Sequence, residues 1–169
     1  MFAPSLLMAP RVSFGEPLDA PNVEQIGPLL ATSGQPSEQA LRTLASRGFK
    51  AVVYLAPSSV PNAVPNEAEL LRAQAIEFVQ IPIPFNAPDE SHVQAFFSVM
   101  DRLKNVSTLV HCEISMRASV MVFLYRSIRR REDPAVAYEA VARVWSPRGA
   151  WRRLADQQLA KNGVRFDLY

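Results

Sequence analysis

The chain has 169 residues, a net charge of +2 and a hydrophobic fraction of 49%. That is one ordinary domain, able to bury a core without a metal or disulfide staple, and its charge gives no sign of nucleic-acid binding. One cysteine excludes an internal disulfide and fits a reducing, cytoplasmic compartment, and no apolar run reaches the roughly 18 residues of a membrane span.

Residues 1–22 read as an irregular leader, with Pro4, Pro10, Pro17 and Pro21 blocking regular structure. No basic stretch precedes its apolar start, which argues against a signal peptide. A single domain is expected over 23–169. Its first segment is a short apolar run from Ile26 to Thr32, turned by Gly34. Pro36 then suits the first turn of a helix whose inner face carries Leu41, Leu44, Ala45 and Phe49, ended by Gly48. Ala51–Leu55 reads as a buried strand. A Pro/Ser/Asn loop follows, then a helix over Glu67–Ala75 with Asn66 and Glu67 as cap and first-turn acid, and a strand over Phe78–Ile83.

Pro88 opens the next helix. Asp89 and Glu90 lie in its first turn, where acids suit the dipole, and Val93, Phe96, Phe97, Met100 and Leu103 form its apolar stripe. Thr108–His111 is a third strand. After Arg117 the chain is apolar on all sides (Val120–Leu124), the mark of a buried central helix. Arg129, Arg130 and Arg131 read as its solvated C-terminal end. Asp133-Pro134 caps and starts another helix lined by Ala137, Ala140, Val141 and Val144. The last runs from Ala150 to about Ala160, with Trp145 and Trp151 packing these C-terminal helices. Strands alternating with helices predict an α/β fold, a central mostly parallel sheet flanked by helices.

Cys112 falls at the C-terminal end of a strand, immediately before a buried helix. Open α/β sheets bind ligands at that edge. A helix N-terminus there presents unpaired N–H groups and partial positive charge, which suit phosphate. Arg117 adds a planar fork matched to phosphate oxygens, and the same field favours a thiolate at Cys112. A nucleophile and an anion-binding cation thus lie within six residues. Taken without that context, a lone cysteine at a strand end is a small buried hydrophobe. Two histidines and one cysteine provide no recognisable metal-ligand spacing, no nucleotide-binding glycine loop is present, and no cofactor is expected.

The segment VHCEISMRAS resembles the signature loop of the protein tyrosine and dual-specificity phosphatases, in the bacterial branch with a short Cys-x4-Arg loop that is also labelled beta-lactamase hydrolase-like. SGQPSEQALRTLASRGFKAVVYL and PNEAELLRAQAIEFVQIPI resemble that branch's first strand, turn, helix and strand, and its next helix and strand. The resemblance implies a cysteine-phosphatase-like fold and hydrolysis of a phosphomonoester, on a phosphorylated protein or a small phosphoester, through a phosphocysteine. Cys112 would attack phosphorus, and Arg117 with the loop Glu113, Ile114, Ser115, Met116, Ala118 and Ser119 would hold the phosphate. His111 would orient the loop, and Asp89, the nearest Asp on the loop PFNAPDE, would protonate the leaving group. Four residues rather than five separate Cys112 from Arg117, Ser115 stands where the usual loop has glycine, Glu113 puts a carboxylate beside the site, and Asn86 occupies the usual slot of the acid. These departures keep two alternatives open: a rhodanese-like sulfurtransferase using a Cys112 persulfide, and a non-catalytic phosphate-binding module.

Overall fold

Four short β-rich segments and the buried strand before Cys112 assemble into one sheet in the computed structural model, which describes residues 16–169. The strands are β1 (Glu24–Gly27), β2 (Leu30–Ser33), β3 (Ala51–Tyr54), β4 (Glu77–Gln80) and β5 (Thr108–His111), in the spatial order β1-β2-β5-β3-β4. β5 is central and parallel to both neighbours, with Ala31 and Val52 each level with Leu109. β4 continues the parallel set, and β1 pairs antiparallel at the edge. The described helices are α1 (Glu38–Leu41), α2 (Glu67–Arg72), α3 (Glu90–Arg102), α4 (Met116–Leu124), α5 (Pro134–Val144) and α6 (Gly149–Lys161), so the chain is a single α/β domain.

Alternation along the strands divides the core in two. Ala31, Val52 and Leu109 face α1 and α2, with Leu41, Leu44 and Leu71. Leu30, Val53 and Val110 face the other layer, with α3, α4, α5 and α6. α4 is enclosed throughout: every residue from Arg117 to Leu124 is buried, and the helix runs on into a widened π turn, Tyr125–Arg129. Arg129, Arg130 and Arg131 beyond it are exposed, and Arg130 pairs with Glu132.

Several expected boundaries shift, each for a local reason. The apolar run at Ile26–Thr32 is a hairpin rather than one strand, because Pro28 has no N–H to donate and the Gly27-Pro28 step reverses the chain. α1 ends at Leu41. The hydroxyls of Thr43 and Ser46 bond the carbonyls of Ala40 and Thr43, competing with the helical ladder, and the chain continues in tighter turns to Gly48. β4 stops at Gln80 because Pro82 and Pro84 interrupt its donors, though the Ile81 and Ile83 amides still reach Tyr54 and Leu55 carbonyls. Of the leader expected over 1–22, residues 1–15 lie outside the described residues. Leu18 is buried against the α1 side of the sheet, and Asn22 donates to the Ile114 carbonyl.

Candidate active site

At the C-terminal end of β5 the chain passes through Cys112, turns over three residues and enters α4. Cys112 has no exposed surface, and its amide donates to the Ser33 carbonyl at 3.3 Å. The reversal into the helix is made by Ser115, which has a φ of 71°. For a residue with a Cβ this left-handed conformation costs about 1–2 kcal/mol, which the four-residue spacing imposes on a serine. The first helical bond runs from the Ser119 amide to the Ser115 carbonyl at 2.8 Å, so the amides of Met116, Arg117 and Ala118 precede the helical ladder and point out of its N-terminus. The Ser115 hydroxyl is buried without a hydrogen-bond partner.

Arg117, on the first turn of α4, is almost fully buried. Its Nε donates to the Ile83 carbonyl at 2.9 Å, and its guanidinium carbon lies 5.1 Å from the centre of the Phe85 ring. These contacts fix the plane of the fork beside the loop. Nη1 is 3.8 Å from the Glu113 carboxylate, so an incoming anion shares this cation with a resident carboxylate. The remaining loop residues divide by role. Ile114 is exposed at the rim and Ala118 is buried in the first turn. The Ser119 hydroxyl donates to the Met116 carbonyl and accepts from Trp145 Nε1. Trp151 Nε1 holds the Phe85 carbonyl at 2.9 Å, so both tryptophans brace the segment over Arg117.

The loop is clamped from the other side. The Glu113 carbonyl accepts from the Gln35 amide and from the Asn62 side chain. Gly34 lies so near that a Cβ there would stand 2.9 Å from the Glu113 carbonyl oxygen and 2.9 Å from Pro21 Cβ. Gly34→Ala therefore forces the Cys112 loop outward. A thermal melt is expected to show a loss of about 1–3 kcal/mol, the range for overpacking a tight contact, together with reduced activity; an unchanged melt would show that the loop gives way freely.

Beneath the loop, His111 points to the α2 side of the sheet. Its Nε2 is 2.6 Å from Glu67 Oε1, and its ring stacks on Tyr54 at 4.7 Å between centroids. Gln35 Nε2 donates to Glu67 Oε2 at 2.9 Å. Burial, and then the nearby Glu67 and Cys112, push the Tyr54 hydroxyl up to about 12, so it stays a neutral donor at working pH. Glu67, Gln35 and Tyr54 were not among the site residues read from sequence. The available signal was spacing: Glu67 lies one helical turn before Leu71, on the buried stripe of α2.

Asp89 has another occupation. It is the N-cap of α3 and forms a capping box with His92. The Ser91 hydroxyl, and then the His92 amide, hold its carboxyl below the ordinary carboxylate range, on an exposed side chain. A general acid works best with a pKa near the operating pH, and this environment moves Asp89 the opposite way. Glu90 beside it pairs with Lys161.

A family model described as DSP-PTPase phosphatase fused to NAD+ kinase matches residues 19–159. The chain belongs to this phosphatase family. A putative phosphatase of the DUF442 group from Shewanella putrefaciens CN-32 superposes with a TM-score of 0.77 at 31% identity, over 85% of this chain and 92% of that one. The beta-lactamase hydrolase-like protein of Xylella fastidiosa Temecula1 is 30% identical over 112 residues, 64% of this chain; the match spans 26% of that longer relative. The core catalytic domain of the PP-IP phosphatase SIW14 from S. cerevisiae shares the fold, with a TM-score of 0.67 at 14% identity, over 87% of this chain and 96% of that one. No described helix of this family member is long and apolar enough to cross a membrane.

Proposed function

We propose that this domain hydrolyses a phosphomonoester through a covalent phosphocysteine. The observation that carries the reading is the pairing of a buried cysteine with a buried, fixed arginine across one turn, at the N-terminus of the enclosed α4. The Cys112 thiolate attacks phosphorus and the ester P–O bond breaks. The phosphoryl oxygens lie against Arg117, the first amides of α4 and the Ser115 hydroxyl. Water then cleaves the S–P bond, releasing inorganic phosphate and the free thiol. A phosphorylated protein or a small phosphoester fits this chemistry better than a nucleic acid, given the net charge of +2. A reducing compartment such as the cytoplasm keeps the thiol available.

Asp89 is the residue the sequence offers for the leaving-group proton, but it is held as the cap of α3, so the leaving oxygen takes its proton from solvent. Asparagine caps as well as aspartate, so Asp89→Asn removes the acid and keeps the helix start. The expected result is an unchanged rate on both p-nitrophenyl phosphate and phosphotyrosine, with the same pH profile. A loss of about 10²-fold or more on phosphotyrosine alone would establish Asp89 as the acid.

One observation favours a second reading. The short loop sets Ser115 in a left-handed turn and leaves Glu113 within 3.8 Å of the cation that a phosphate dianion needs. A persulfide on Cys112 carries less charge and competes less with that carboxylate. The purified chain decides: phosphate release from p-nitrophenyl phosphate supports the phosphatase, and thiocyanate formation from thiosulfate and cyanide, without phosphate release, supports sulfur transfer.

A further inference from the structure

The basic run that follows α4 plays no part in the proposed reaction, and it borders a cavity at the other end of the sheet. The cavity, of about 650 Å³, lies at the N-terminal ends of β2 and β5, beside Leu30 and Thr108. Thr108 is four residues before Cys112, so roughly 13 Å of extended chain separates the cavity from the thiol. Its volume is that of a small-molecule site. Ile26, Leu29, Met100, Leu103 and Val106 give it an apolar wall.

The rim is cationic. Lys104, Arg129 and Arg130 line it, with two carboxylates, Asp101 and Glu132. Both carboxylates are already met. Asp101 accepts from the Tyr125 hydroxyl and lies 3.8 Å from Arg129, and Glu132 lies between Arg126 at 2.8 Å and Arg130 at 3.0 Å. Four cations thus stand against two carboxylates, and Lys104 has no ion-pair partner among the described residues. The helix is deformed to make this rim. In an α-helix, residue i+5 stands roughly 140° around the axis from residue i. Here the Arg130 amide bonds the Tyr125 carbonyl at 3.2 Å, and the widened turn lets Tyr125, Arg129 and Arg130 all border one cavity. Arg131 then takes a φ of 57°, a left-handed conformation that side chains with a Cβ rarely adopt, and the Glu132 amide returns to the Arg126 carbonyl. Wide turns and strained residues of this kind gather at functional sites.

We propose that this cavity binds a small amphiphilic anion, its apolar body against Leu29, Leu103 and Val106 and its acidic head on Lys104, Arg129 and Arg130. The site lies apart from the Cys112 loop, whichever reaction that loop performs. A neutral or cationic molecule would leave the surplus charge uncompensated, and a wholly polar anion would leave the apolar wall wet.

Decanoate, below its micelle concentration, is the probe, titrated into the unaltered chain by calorimetry. One decanoate per chain is expected to bind saturably, and decylamine at least tenfold more weakly. Hexanoate should also bind more than tenfold more weakly, since each buried methylene contributes about fourfold. Lys104 is exposed, so Lys104→Glu keeps the fold, and reversing that charge should weaken decanoate by roughly tenfold. Arg117→Lys, at the far end of α4, should leave its affinity within about twofold. Absence of saturable binding, equal binding of decylamine or of hexanoate, or undiminished affinity in Lys104→Glu overturns the proposal. Lost binding in Arg117→Lys also overturns it, by placing the carboxylate on the Cys112 loop. Phosphate release is read in none of these titrations, so their outcome is independent of the proposed reaction.

Discussion

Cys112→Ser is expected to abolish turnover while leaving the fold and the anion site in place. A serine hydroxyl is far harder to ionise than a thiol, and His111, directly before position 112, turns to Glu67 on the α2 side of the sheet. The loss should be on the order of 10⁶ in kcat, the scale seen when a hydrolase loses its nucleophile. The exchange removes a small apolar group from a fully buried site, so a modest drop in the melting temperature is expected, with inorganic phosphate still bound by calorimetry. Residual hydrolysis above a trace would remove Cys112 from the mechanism, and lost phosphate binding would mean that the variant has disturbed the loop.

Arg117→Lys carries the second large effect. Lysine keeps one charge and loses the fork, the bond from Nε to the Ile83 carbonyl, and the flat face against Phe85. Loss of a preorganised donor to developing negative charge costs about 10²–10³ in rate. kcat/KM for an aryl phosphate should fall by that factor, and inhibition by inorganic phosphate should weaken in parallel. Activity near that of the unaltered chain would show that Arg117 does not hold the phosphate. A fall in kcat with unchanged phosphate inhibition would assign its effect to the transition state alone.

Much of this frame was legible in the residues. β5 at Thr108–His111, the buried stripe of α3 and the Asp133-Pro134 helix start stand where patterning put them, because each is written in local terms: a β-rich run, a 3.6-residue repeat, a cap followed by proline. Cys112 at the end of β5 and Arg117 on the first turn of α4 also stand where the sequence put them, since one loop sets them together. The layer beneath was not. Glu67, Gln35 and Tyr54 reach His111 from three separate segments, and only the parallel order β2-β5-β3 brings those segments to one place. Pairing across such distances leaves no periodic trace. Asp89 shows the opposite difficulty. A carboxylate just after a proline and before an apolar stripe reads equally as an acid on a loop or as a cap, and only its bonds to Ser91 and His92 show the cap.

The central place of β5 bears on how the thiol is kept safe as the chain folds. Both its neighbours come from far earlier in the chain: Thr108 pairs with Leu30 on one side and with Ala51 on the other. Closing such long loops is slow, because their entropy is lost before any contact compensates it. The strand that ends just before Cys112 is therefore complete only when both distant partners have reached it, and the thiol takes its buried place only then. Until then it is an unprotected sulfhydryl on an incomplete sheet, so oxidant present during refolding should lower the yield of active protein far more than the same oxidant added to the finished fold.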